Sequence, residues 1–88
     1  MKASHILVDT KEQAESILKE ANALNFGQLA QQHSKCPSKA RGGDLGDFGP
    51  GMMVKPFEDA TQATPVGQIS QPVQTQFGFH LIHRTGLC

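Results

Sequence analysis

Four histidines and two cysteines are the first side chains to weigh for metal binding, proton transfer or attack on a carbonyl in this 88-residue chain: His5, His33, His80, His83, Cys36 and Cys88. Metal binding is the first chemistry to weigh. Metal sites in short sequences draw on close spacings such as C-x-x-C, H-x-x-x-H or H-E-x-x-H, and none of these occurs. His80 and His83 are three apart in an extended stretch, so their side chains leave opposite faces of a strand. Neither a metal nor any other cofactor is expected. Thiol chemistry is the second option. Cys36 stands between Lys35 and Pro37 in a polar stretch, which argues for partial exposure, but no neighbouring residue is marked as its base. The bland alternative for the histidines is a set of core residues satisfied by backbone groups.

Composition narrows the setting. Apolar residues make up 38% and charged residues 18% of the chain, with eight Lys/Arg against eight Asp/Glu. That balance is globular and gives no long-range field for nucleic acid or a membrane surface. The length fits one small domain, residues 1–88, for which a monomer is the simplest expectation. Two cysteines are too few for a disulfide framework. No apolar run approaches membrane-spanning length, and strand-like sequence starts within a few residues of Met1. The expected compartment is the cytoplasm.

The elements that must position these groups follow from patterning. Lys2 to Val8 reads as a strand covered on both faces. Thr10 and Gln13 form a T-x-x-Q capping box, so a helix starts near Lys11. Its apolar stripe is Ala14, Ile17, Leu18, Ala21 and Leu24. Asn25 and Gln28 repeat the pattern, opening a shorter helix that ends near His33. Ser34 to Gly43 is loop-like, Leu45 to Phe48 a short strand, and Gly49-Pro50-Gly51 a turn. Pro56 suits the first turn of a helix carrying Phe57 and Ala60. Ile69 to Thr75 is extended, and Pro72 places it at a sheet edge or bulge. Phe79 to Arg84 forms the last strand, with Phe79 and Leu81 on one face and Ile82 on the other. The class is α+β: a small sheet with helices against it, the first and last strands in its middle.

Four ordered motifs say more. They are Ser4-His5-Ile6-Leu7-Val8; His33-Ser34-Lys35-Cys36-Pro37-Ser38 leading into Arg41-Gly42-Gly43-Asp44-Leu45-Gly46; Gly51-Met52-Met53-Val54-Lys55-Pro56-Phe57-Glu58; and Thr75-Gln76-Phe77-Gly78-Phe79-His80-Leu81-Ile82. Together, from Ser4 to Arg84, they resemble the parvulin family of peptidyl-prolyl cis/trans isomerases. The resemblance implies a four-stranded antiparallel sheet surrounded by about four helices, similar to the FKBP architecture. It implies His5 and His80 side by side on the central strands, flanked by Cys36 and Thr75. It also implies an apolar pocket for the proline ring lined by Leu45, Met53, Phe57 and Phe77, with Met52 a neighbour rather than a wall. His33 and His83 remain structural or surface residues.

These residue types suit the implied reaction. Rotation about a peptide bond faces a barrier of roughly 18–20 kcal/mol, and no bond has to break. A thousandfold acceleration needs about 4 kcal/mol of differential stabilisation. The planar amide owes its stability to charge-separating resonance, so a water-poor hollow penalises the planar forms more than the twisted one. Paired imidazoles can donate and accept at once. A thiol or thiolate at Cys36 near the carbonyl would further disfavour the charge-separated form, without a covalent step.

Expected substrates are proline-containing, unfolded or flexible polypeptides. Parvulins that prefer phosphoserine or phosphothreonine before proline use a basic loop after the first strand, whereas here that segment is Asp9-Thr10-Lys11-Glu12. The chain also has no Trp with which to build a WW domain. A neutral or apolar residue before proline is therefore expected. Two other functions compete: a module that grips proline-containing segments without turning them over, and a thiol enzyme built on Cys36.

Overall fold

The computed structural model describes residues 2–49 and 51–86; Cys88, and with Pro50 the centre of the Gly49-Pro50-Gly51 turn, lie outside the described residues. Among these described residues four strands form one antiparallel sheet: β1 (Lys2–Val8), β2 (Asp44–Asp47), β3 (Val73–Thr75) and β4 (Gly78–Gly86). Their spatial order is β2-β1-β4-β3, so the first and last strands are central, as their apolar runs require. Among the described residues there are three α-helices, α1 (Lys11–Glu20), α2 (Phe26–His33) and α3 (Lys55–Ala63), fewer than the about four expected, with a short 3-10 turn at Pro37–Arg41 in addition. Among the described residues no helix is long and apolar enough to cross a membrane.

The sheet carries a separate cluster on each face because strand side chains alternate. Ile6, Val8 and Leu81 on one face pack with Ala14 and Ile17 of α1 and with Phe26, Leu29 and Ala30 of α2. Ala3 and Ile82 on the other face pack with Phe48 and with Phe57 of α3. Phe26, Ile6, Leu81 and Ile82 are among the largest fully buried side chains, each contributing roughly 1.5–3 kcal/mol. The second face is only partly covered by α3, and this is where the polar side chains collect.

Local sequence sets the ends of the elements. The capping box at α1 is formed: Gln13 N donates to Thr10 Oγ1 at 3.2 Å and Thr10 N donates to Gln13 Oε1 at 3.3 Å. The stripe expected to run to Leu24 stops earlier. Asn22 Oδ1 accepts from Leu24 N at 2.8 Å and Asn25 N at 2.9 Å, a side-chain turn that ends the helix. Leu24 is left 98% exposed. Nor does Asn25 cap α2. Its Oδ1 accepts from Asn22 N and its Nδ2 donates back to Glu20 O, so the second capping pattern is spent on the turn between the helices.

The extended stretch expected from Ile69 to Thr75 is divided. Ile69 bridges to His83 and Ser70 N donates to Ile82 O at 2.7 Å, but pairing resumes only at Val73. Pro72 lies in the gap, where the ladder needs no N–H. Pro56 takes its place in the first turn of α3. At the other end of that helix Arg84 Nη1 donates to the carbonyls of Thr61, Gln62 and Thr64 at 3.2–3.4 Å. The guanidinium thus satisfies carbonyls that a helix end leaves open and ties α3 to β4.

Candidate active site

Register brings the two histidines together. Leu7 of β1 stands opposite His80 of β4, and His5 stands opposite Ile82. His5 and His80 are therefore diagonal neighbours on one face, within reach of each other. His5 Nδ1 and His80 Nδ1 are 3.0 Å apart, with the ring planes within 16° of parallel. Thr75 reaches the far side of His80 from β3, its Oγ1 2.8 Å from Nε2, and the same oxygen accepts from Phe77 N at 3.2 Å. The result is a continuous chain from Phe77 N through Thr75 and His80 to His5.

A 3.0 Å contact between two ring nitrogens holds one proton, donated by one ring and accepted by the other. The accepting ring must then be neutral, and the surroundings favour the neutral form of both. Burial lowers both pKa values to about 4, and repulsion from His80 adds to the effect at His5. Phe57 strengthens the desolvation. Its ring meets both imidazoles edge-on, with centroids 5.4 Å from His5 and 5.2 Å from His80 and planes at 82° to each.

A hollow of about 490 Å³ opens over the imidazole pair. Its wall includes Leu45, Met53 and Phe77, as expected, together with Cys36. It also includes Met52, contrary to the expectation that this residue only adjoins the pocket. Met52 Sδ accepts from Gly49 N at 3.2 Å. Leu7 is a wall residue that sequence reading missed, although strand alternation puts it on the same face as His5. Phe57, expected in the wall, is 2% exposed and lies behind the imidazoles instead. Phe77 is 60% exposed and forms the rim.

Cys36 is held by a short anchor to β1. Lys35 N donates to Leu7 O at 2.8 Å, while Ser34 Oγ accepts from Leu7 N at 3.1 Å and from Cys36 N at 3.3 Å. The thiol is half-buried and free of any disulfide. His33 is exposed. His83 lies on the opposite face of the sheet, tilted against Phe26 at 5.3 Å. Neither belongs to the site. The structure thus gathers His5, His80 and Cys36 around one hollow, with Thr75 behind His80 rather than in the wall, and no group of three His, Cys, Asp or Glu side chains among the described residues is placed to hold a metal.

An antiparallel sheet bearing an imidazole pair beneath an apolar hollow is the arrangement that the resemblance implies, and comparison with known proteins identifies the family. The rotamase model, a PPIC-type PPIase domain, matches residues 4–86. Foldase protein PrsA 4 of Bacillus cereus is 48% identical over 87 residues, which span 97% of this chain and 31% of that protein. Peptidyl-prolyl cis-trans isomerase Pin1 of Digitalis lanata is 50% identical over 80 residues, covering 89% of this chain and 68% of the relative. The solution structure of NmPin, the parvulin of Nitrosopumilus maritimus, superposes with a TM-score of 0.84 at 43% identity, covering 98% of this chain and 95% of that one. The chain belongs to the parvulin, or PPIC-type peptidyl-prolyl isomerase, family. It spans about a third of the length of the PrsA foldases it matches.

Proposed function

We propose that this chain accelerates cis/trans rotation about X–Pro bonds in unfolded or flexible polypeptides by non-covalent stabilisation of the twisted amide, and so assists folding. The observation that carries this reading is the neutral His5–His80 pair, backed by Thr75 and Phe57, at the floor of a hollow walled by Leu45, Met52, Met53 and Phe77. Proline fills the apolar hollow. The amide is stripped of the water that favours its charge-separated planar form, and the imidazole chain and the Cys36 thiol shape the field at its carbonyl. Cys36, His5, His80 and Thr75 are the proposed catalytic residues, and Leu45, Met53 and Phe77 the proposed proline contacts, with Phe57 acting through the imidazoles. A monomer in the cytoplasm, where a free thiol persists, suits this role.

The residue before proline is neutral or apolar rather than phosphorylated. Supporting this, the segment after β1 begins with Asp9 and carries Glu12 in the first turn of α1. Glu12 repels a dianionic phosphate there, and Lys35 is already paired with Asp9.

Exchange spectroscopy on Ala-Pro peptides tests the reading: faster exchange with catalytic amounts of protein supports it, and binding without faster exchange leaves a gripping module instead. Cys36→Asp is expected to retain measurable turnover. Loss of all turnover in folded Cys36→Asp and Cys36→Ser variants that still bind peptide would establish a nucleophilic cysteine in its place.

A further inference from the structure

Among the described residues that line the hollow, Lys35 is the one with a permanent charge; the others are apolar apart from the two neutral imidazoles and the Cys36 thiol. Lys35 does not face the hollow unopposed. Its Nζ pairs with a carboxylate oxygen of Asp9, the first residue beyond β1, and both side chains are 57% exposed. The pair spans from the end of the strand that bears His5 to the loop that bears Cys36. Adjacent Lys35 N is pinned to Leu7 O and Cys36 N to Ser34 Oγ, so the backbone is anchored independently of the ion pair. The pair's contribution to holding the loop is correspondingly small, as exposed ion pairs are. Its effect on what the rim offers a substrate is larger in proportion, because it cancels the charge at that wall.

We propose that Asp9 is a specificity-determining residue: by holding Lys35 it keeps the rim of the proline hollow neutral, so that a carboxylate before proline finds no cation to bind. This deepens the isomerase reading above and rests on it. The chemistry is exchange of partners. An incoming Glu side chain would have to displace Asp9 from Lys35 and would lie beside the Asp9 charge while doing so. An uncharged residue meets neither obstacle. Removing the Asp9 charge without changing its shape frees the ammonium and turns the rim cationic.

The test compares wild type, Asp9→Asn, Lys35→Gln and the double variant on peptides differing only in Glu, Ala or Lys before proline, at low and high salt. Asp9→Asn is expected to raise the Glu-to-Ala ratio of kcat/KM by about threefold to fivefold at low salt, to lower the Lys-to-Ala ratio, and to lose both effects at high salt. Adding Lys35→Gln should return the ratios to wild-type values. A uniform change across all three peptides in Asp9→Asn would show that the pair only latches the loop, and would overturn the proposal. If wild type turned over none of the peptides, the isomerase reading would fail separately. The same Glu-to-Ala ratio taken from peptide dissociation constants in NMR titrations would still decide the role of Asp9.

Discussion

Gly43 passes so close to His5 that a Cβ placed on it would stand 2.3 Å from the His5 carbonyl oxygen. The two residues also bond, His5 N donating to Gly43 O at 2.9 Å. Gly43 has φ +81, a conformation that a side chain strains. The glycine is therefore what lets the chain leading into β2 lie against the strand that carries the first imidazole. Gly43→Ala is expected to lose at least about 2 kcal/mol of stability and to push β1 outward at His5. Urea denaturation measures the first effect. The second appears as a loss of activity per folded molecule, and a variant with wild-type midpoint and rate would show that the strand tolerates the shift.

The imidazole pair sets a pH dependence whose sign follows from burial. His5 and His80 titrate at about 4 in the folded chain, against roughly 6.5 when unfolded. Between those values the unfolded state binds more protons, so stability is complete above pH about 6.5 and falls as pH drops toward 4. From pH 6.5 to 5 the expected loss is about 1.5 kcal/mol per histidine. His83, also lowered by burial, acts in the same direction. Denaturation midpoints across this range provide the check. Turnover, by contrast, should be flat from pH 6.5 to 8, because both rings are already neutral. A rate that follows a titration near 6.5 would place a charged imidazole in the mechanism.

Thr75 anchors His80 on the side away from His5. Thr75→Val keeps the shape and removes the hydroxyl, and kcat/KM is expected to fall about fivefold to tenfold. Thr75→Ser should restore most of the loss. Histidine side-chain resonances should report a change in the tautomer balance in the Val variant but not in the Ser variant. Equal rates in all three proteins would remove Thr75 from the site.

Arg84 acts at a distance through α3, whose carbonyl end it covers. Arg84→Met is expected to cost about 1–3 kcal/mol, from open helix carbonyls and a lost charge-assisted contact, and Arg84→Lys roughly half of that. Because Phe57 rides on α3 against both imidazoles, loosening the helix end should also broaden the His5 and His80 resonances. Thermal melts and histidine line widths test the two effects separately.

Much of this was legible in the residues, and the exceptions have physical causes. Apolar runs in the first and last strands were enough to identify the central pair, because a run buried on both sides has few other places to go, and alternation gave the opposed faces of Phe79 and Ile82. The partnership of His5 with His80 was not derivable from spacing. Seventy-five residues separate them, and the link came through motifs. Leu24 was misplaced because apolar periodicity is blind to the Asn22 side chain that ends the helix first. Asn25 carried a valid capping signature that a competing local turn consumed. Met52 entered the wall through a contact with the Gly49 backbone, a loop property that no periodic pattern encodes. Phe57 was assigned the right neighbourhood but the wrong depth.

The outer strands of the sheet are stubs: β2 has four residues, two of them Asp, and β3 has three, preceded by Pro72. On the proposed reading the domain handles unfolded chains, and long bare edges would then be a hazard, since an extended client could zip onto them and stay. Short, charged or proline-guarded borders deny such a client a backbone template. On that reading, what remains for it to hold is the proline ring and its neighbours.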